Sequence, residues 1–176
     1  MPAQIPSARG SSQASRAHAH RRGHIRQMAL ASDEVPLIAQ AVIAAANTFG
    51  STIDALPAVT EPAFTTRATA ILTDLRQLEA VAARAARIQV TPELIRALST
   101  VRSRIDELTM RAATAPTATV GQRLYAARRR ANLTIAETAQ AAGVAEDVIV
   151  LTEADQSVSE ADIAAVEQLI TQIDWR

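Results

Sequence analysis

The most constraining feature of this sequence is a double heptad pattern in its middle third. Over roughly 61–88, Phe64, Ala68, Ile71, Leu75, Leu78, Ala82 and Ala85 recur at alternating spacings of four and three, which places them on one seam of a helix. The stretch "VTP" then breaks the chain. Thr91 is placed to cap a new helix, with Pro92 at its first position and Glu93 in the first turn, where the helix dipole favours an acid. Leu94, Leu98, Val101, Ile105, Leu108 and Ala112 repeat the pattern over 92–112. Two such helices joined by so short a turn fold back as an antiparallel hairpin.

A third apolar segment, 35–49, "VPLIAQAVIAAANTF", precedes the hairpin. Asp33 is its expected N-cap, Pro36 lies in its first turn, and Gly50 is expected to close it. At this length, and interrupted by Gln40, Asn47 and Thr48, it falls short of the roughly 20 apolar residues of a membrane span. The expectation is a helical bundle over 33–112, either closed by this third helix or completed by heptad faces that pair between chains.

Composition agrees with helix. Hydrophobic residues make up 48% of the chain and aromatics only 2%, so the cores must be built from Ala, Leu, Ile and Val, and Ala favours helix over strand. The expected fold class is all-α. There is no cysteine, which removes disulfides, thiolate metal sites and cysteine nucleophiles. All 18 basic residues are Arg, a bias that suggests a high-GC coding background.

The zero net charge conceals a gradient. Residues 1–28 hold five Arg and no acid (+5), 29–112 hold eight Arg against nine acids (−1), and 113–176 hold five against nine (−4). The first segment, with Arg9, Arg16, Arg21, Arg22 and Arg26, lacks apolar periodicity, so residues 1–32 are expected to form a disordered basic tail. His18, His20 and His24 have no carboxylates or scaffold to make a metal site. Asp33 and Glu34 stand where a secretory signal needs an apolar run. A cytoplasmic protein without a membrane anchor is expected, and Met28 is an alternative start.

The stretch "AATAPTAT" carries no apolar period, so 113–119 reads as a linker. Beyond it, "VGQRLYAARRRAN" is a basic amphipathic helix with Val120, Leu124 and Ala127 on one face. "LT" at 133–134 opens a second helix, where Thr134 and Glu137 form a capping box. Ala139, Gly143, Val144 and Ile149 follow. Ser157 or Ser159 caps a further helix, running through Ile163, Val166, Leu169, Ile170 and Ile173.

On these residues the segment 120–173 resembles the Cro/C1-type (XRE family) helix-turn-helix domain. The resemblance implies a bacterial, dimeric, DNA-binding transcriptional regulator, with the N-terminal helices as a dimerisation or effector module. It implies that Ala139 is the small residue at a helix crossing, that Gly143 and Val144 make a turn, and that Ile149 is the buried anchor of a third helix. It also implies an internal salt bridge between Arg128 and Glu153, 25 residues apart, and phosphate contacts from Arg123, Arg129 and Arg130. The DNA-facing positions of the helix-turn-helix (134–153) correspond to Thr134, Ile135, Ala145, Glu146, Asp147, Val150 and Leu151.

Several of those positions depart from the family. Ile135 replaces a phosphate-touching Gln, Thr138 replaces Leu, and Asn132 replaces the Gly that ends the first helix. Glu146 and Asp147 lie where polar or basic side chains reach DNA, and carboxylates there repel phosphate. One acid in a reading helix can accept from cytosine N4; in the first turn both also favour the dipole. Val150 and Leu151 add apolar surface of the kind that meets protein. The alternative function is therefore a helix-turn-helix that docks a protein partner on its third helix and no longer reads DNA. The family's covering fifth helix is missing, so cover must come from the first domain or a second copy, with Trp175 as a candidate dimer anchor. No catalytic residue, cofactor or metal site is expected: no His lies in a folded region and no Gly-rich phosphate loop exists.

Overall fold

The computed structural model describes residues 34–173. The readings that fall on the basic tail, the three histidines, Met28, Asp33 and Trp175 lie outside the described residues. Within them the chain forms seven helices and no strand: α1 (Glu34–Asp54), α2 (Pro62–Ile88), α3 (Pro92–Ala112), α4 (Val120–Arg130), α5 (Ile135–Ala142), α6 (Glu146–Glu153) and α7 (Glu160–Ile173).

Most of the two heptad seams is buried, and Leu72 and Ala97, which lie outside them, join the core. Phe64, Ala68, Ile71, Leu75, Ala82 and Ala85 of α2 meet Leu94, Ala97, Val101, Leu108 and Ala112 of α3, with Leu78, Leu98 and Ile105 half-buried at the edge. The Arg102–Glu79 ion pair (2.7 Å) and the Thr65–Thr117 hydroxyl contact (2.6 Å) mark the antiparallel register. Thr91 accepts from the Leu94 amide at 3.2 Å, so "VTP" starts α3 as its residue types dictate.

The third helix closes this bundle within the chain. Val35, Ala39, Val42 and Ala46 of α1 belong to the same core. α1 thus shares one core with both helices of the hairpin.

α1 is longer than the 35–49 expected, because Gly50 does not end it. The helix runs on to Asp54, and Gly50 has no positive φ. The Arg104 guanidinium lies over Gly50 so closely that a Cβ would sit 3.1 Å from Nη2. At 21 residues and a mean hydropathy of 1.2, α1 meets the length and composition of a membrane-crossing helix. Its buried stripe instead gives it a place in the bundle.

The expected linker is a packed turn. Ala115 is buried in the bundle core, Thr117 bonds to α2, and Thr119 is already the N-cap of α4. Small side chains without periodicity read as a spacer in the sequence; here they permit close approach. Thr119 and Gln122 form a reciprocal capping box, and the buried Gln122 amide also donates to Thr69 Oγ1 on α2 at 3.0 Å.

α4 to α7 surround a second, smaller core of Leu124, Ala127, Ala139, Ile149, Val166 and Ile170. α7 packs against α4, α5 and α6, and Ser159, rather than Ser157, caps it by accepting from the Asp162 amide.

Candidate functional site

The α5–α6 pair begins with two sequence choices that fix its frame. Thr134 Oγ1 accepts from the Glu137 amide (3.2 Å), and Glu137 Oε2 accepts from the Thr134 amide (2.8 Å). The Thr134 amide, and then the Thr134 hydroxyl donating to the same oxygen at 2.8 Å, hold the Glu137 carboxyl below its ordinary range. At the other end Gly143 adopts φ 70°, and the Val144 amide reaches back to the Ala139 carbonyl. Asn132 (φ 57°) and Asp155 (φ 56°) take the same left-handed conformation. Leu133 reaches Arg128, and Gln156 reaches Leu151, in the same way. α4, α5 and α6 thus all end by one device, with carbonyls of the last turn satisfied by an amide beyond the left-handed residue.

Arg128 and Glu153 form the internal bridge. Arg128 Nε and Nη2 donate to the two carboxylate oxygens at 2.6 and 2.9 Å, and Nη1 donates to the Leu133 carbonyl at 3.1 Å. Only 12% and 11% of these side chains remain exposed, so the pair is a structural fastener. Glu153 raises the Arg128 pKa through that hydrogen bond and its charge, against the opposing effect of burial.

The three arginines expected to touch phosphate are differently placed. Arg123 is paired with Glu167 of α7 at 3.0 Å, and Arg129 turns toward the bundle, its Nε 3.2 Å from Asp106 on α3. Arg130 is exposed at the end of α4. At about 100° per residue, Arg123 and Arg130, seven apart, fall on one face of α4, whereas Arg129 lies about 120° from Arg123 and turns to α3 instead.

The expected reading face is built as follows. Ile135 opens α5 half-buried against the second core. Thr138 is buried, its hydroxyl satisfied by the Thr134 carbonyl at 2.7 Å. Ala145 occupies the α6 N-cap with no side chain to accept there. Glu146 and Asp147 are exposed in the first turn of α6, Ile149 and Thr152 face inward, Leu151 is half-buried, and Val150 is 49% exposed. Between Arg130 and Arg176 the sequence contains no basic residue and nine acids.

The sequence reading missed how the two units are joined. Arg76 of α2 donates to the Glu153 carbonyl at the end of α6 and approaches Asp155 at 3.8 Å. A cation there complements the negative end of the helix dipole. Thr119 donates to Asp155 at 2.6 Å, and Tyr125 donates to Asp106 at 2.6 Å. Gly121 lies so close beneath α6 that a Cβ would fall 2.0 Å from the Thr152 carbonyl oxygen, a contact that any side chain would prevent. Thr119 reads in the sequence as the end of a linker, although "TVGQ" has the spacing of a capping box; the tertiary partners of Arg76, Asp106 and Asp155 have no local signature.

Comparison with known proteins places this architecture. A family model, MSMEG_6518_N, described as an N-terminal domain, matches residues 49–119. An uncharacterised protein of Mycolicibacterium smegmatis (strain ATCC 700084 / mc(2)155) is 47% identical over 126 residues, which is 71% of this chain and 98% of the relative. The chain belongs to the MSMEG_6518_N family. No solved structure matches it. The MSMEG_6518_N match ends at Thr119, the N-cap of α4, so its boundary coincides with the start of the second unit. It contains Thr69, Arg76 and Asp106, the residues that reach across to that unit. The 126 residues shared with the relative exceed the span of the MSMEG_6518_N model, so the likeness extends beyond the N-terminal domain.

Proposed function

We propose that this protein is a helix-turn-helix scaffold that docks a protein partner on α5 and α6, with the MSMEG_6518_N bundle holding that face in place. The observation that carries this reading is the charge of the face. Non-specific affinity for DNA comes from cations that displace counterions from phosphate. Neither α5 nor α6 has a cation, α6 begins with Glu146 and Asp147, and Arg123 and Arg129 are already paired. An exposed Val150 beside two acids suits a partner surface that is basic at its rim and apolar at its centre.

A second reading keeps the Cro/C1-type resemblance as function, a DNA-binding regulator. The observation favouring it is the sequence of residues 1–28, five Arg and no acid, since basic arms of this kind enter minor grooves. Titration of the full chain with duplex DNA at low salt, read by anisotropy, separates the two. The docking reading expects any binding to vanish when Arg9, Arg16, Arg21, Arg22 and Arg26 are replaced by Gln, and to be unmoved by Val150→Ser with Leu151→Ser. The same pair is expected to abolish capture of a partner from the native host. Sequence-selective DNA binding that depends on Val150 and Leu151 sinks the docking reading.

A further inference from the structure

A groove of about 670 Å³ opens where α2, α3 and α4 meet, on the face of α4 that carries Tyr125 and Arg129. Its size lies within the ~300–1,000 Å³ range of small-molecule sites. One part is apolar, formed by Ile95, Leu98 and Ile105 at helical spacing on α3, with Ile95 56% exposed. The other part holds two ion pairs, Arg102 with Glu79 and Arg129 with Asp106.

We propose that this groove binds a small amphipathic carboxylate, its head held by Arg102 and Arg129 and its apolar body laid along Ile95, Leu98 and Ile105. Arg102 donates through Nε to Glu79 at 2.7 Å, and Arg129 comes closest to Asp106 through Nε, at 3.2 Å. Among the described residues their terminal nitrogens have no protein acceptor. A guanidinium with a free fork matches the two oxygens of a carboxylate.

The arrangement of charge selects an anion over a cation. Arg102 and Arg129 are 61% and 53% exposed, whereas Glu79 and Asp106 are 30% and 36% exposed. An entering ligand therefore meets the guanidiniums first. Asp106 Oδ1 is shared between Arg129 and the Tyr125 hydroxyl, so that oxygen is already engaged when a ligand enters. Arg102 and Asp106 are one turn apart on α3, about 6 Å along the axis, which brings the two ion pairs to neighbouring turns of the groove. The site uses nothing from the α5–α6 face and stands independently of what docks there.

The test is calorimetric titration of the full chain with decanoate, decanol and decylamine, each below its micelle-forming range. Decanoate is expected to saturate one site, with decanol and decylamine at least tenfold weaker. Arg102→Gln, on an exposed side chain, is expected to weaken decanoate at least tenfold with an unchanged thermal midpoint; Ile95→Ser is expected to weaken decanoate and leave that midpoint unchanged. Equal binding of the amine, or decanoate binding insensitive to both substitutions, overturns the proposal. So does association with phosphatidylglycerol vesicles in the absence of decanoate binding, which would assign the arginines to a membrane surface.

Discussion

The bundle of α1 to α3 and the unit of α4 to α7 hold themselves together by different means. Among the described residues the first buries seventeen apolar side chains in one core, the second only six. The smaller unit compensates with local and polar devices: three left-handed helix ends, two capping boxes and a two-oxygen Arg–Glu bridge. Apolar burial grows with the size of a unit, whereas caps and bridges act per helix end. A short segment of four helices thus becomes specific before it becomes strongly stable. The α6 terminus, fastened by Arg76, then takes support from the larger core beside it.

The sharpest way to break this comparison is to empty the larger core. Phe64 is fully buried, and the Arg111 guanidinium stacks 5.1 Å from its ring centre while donating to the carbonyls of Ile53 and Pro57. Phe64→Ala is expected to cost about 3–5 kcal/mol, read by urea denaturation followed by helical circular dichroism. Because Arg76, Gln122 and Tyr125 tie the units together, both should melt in one transition. Two separated transitions would show that the junction is weaker than its contacts imply.

The bundle was the most legible part of the sequence for the same reason that it tolerates little change. A seam such as Phe64, Ala68, Ile71 and Leu75 is a periodic signal, and periodicity needs no knowledge of distant residues. The extension of α1 through Gly50 was not legible, because the meaning of a glycine depends on whether it turns left-handed or lies under Arg104, 54 residues away. In the second unit the caps at Thr134 and Gly143 were visible, each being a signal spread over four residues or fewer. The dispersal of Arg123 to Glu167 and Arg129 to Asp106 was not, since a charge run does not disclose its tertiary partners.

A smaller effect is expected from the bridge of the second unit. Arg128→Ala leaves Glu153 largely buried without its donors, and a loss of about 2 kcal/mol follows from charged hydrogen bonds of this kind. Arg128→Lys should recover little, because an ammonium cannot engage both carboxylate oxygens and the Leu133 carbonyl in the same geometry. The measurement is the thermal midpoint. A change within the range of an exposed ion pair, under about 1 kcal/mol, would remove the contrast between a unit held by packing and one held by polar fasteners.

The junction offers the finest test, because it contains the chain's single tyrosine. Burial, then the hydrogen bond to Asp106 and the charge of that carboxylate, push the Tyr125 pKa from 10.0 up to about 12, while Arg129 pulls it down. Alkaline titration followed by phenolate absorbance should therefore show a midpoint near 12. A pKa raised on folding favours the protonated form in the native state, so its stabilisation is complete below about 10 and disappears as pH rises through 12. Asp106→Asn should lower the midpoint, and Arg129→Gln should raise it. Opposite shifts would demonstrate that both groups face the Tyr125 hydroxyl across the α3–α4 contact. A midpoint near 10 in the native protein would mean that the contact opens in solution, and that the bundle does not hold α4 as the packed turn at 113–119 indicates.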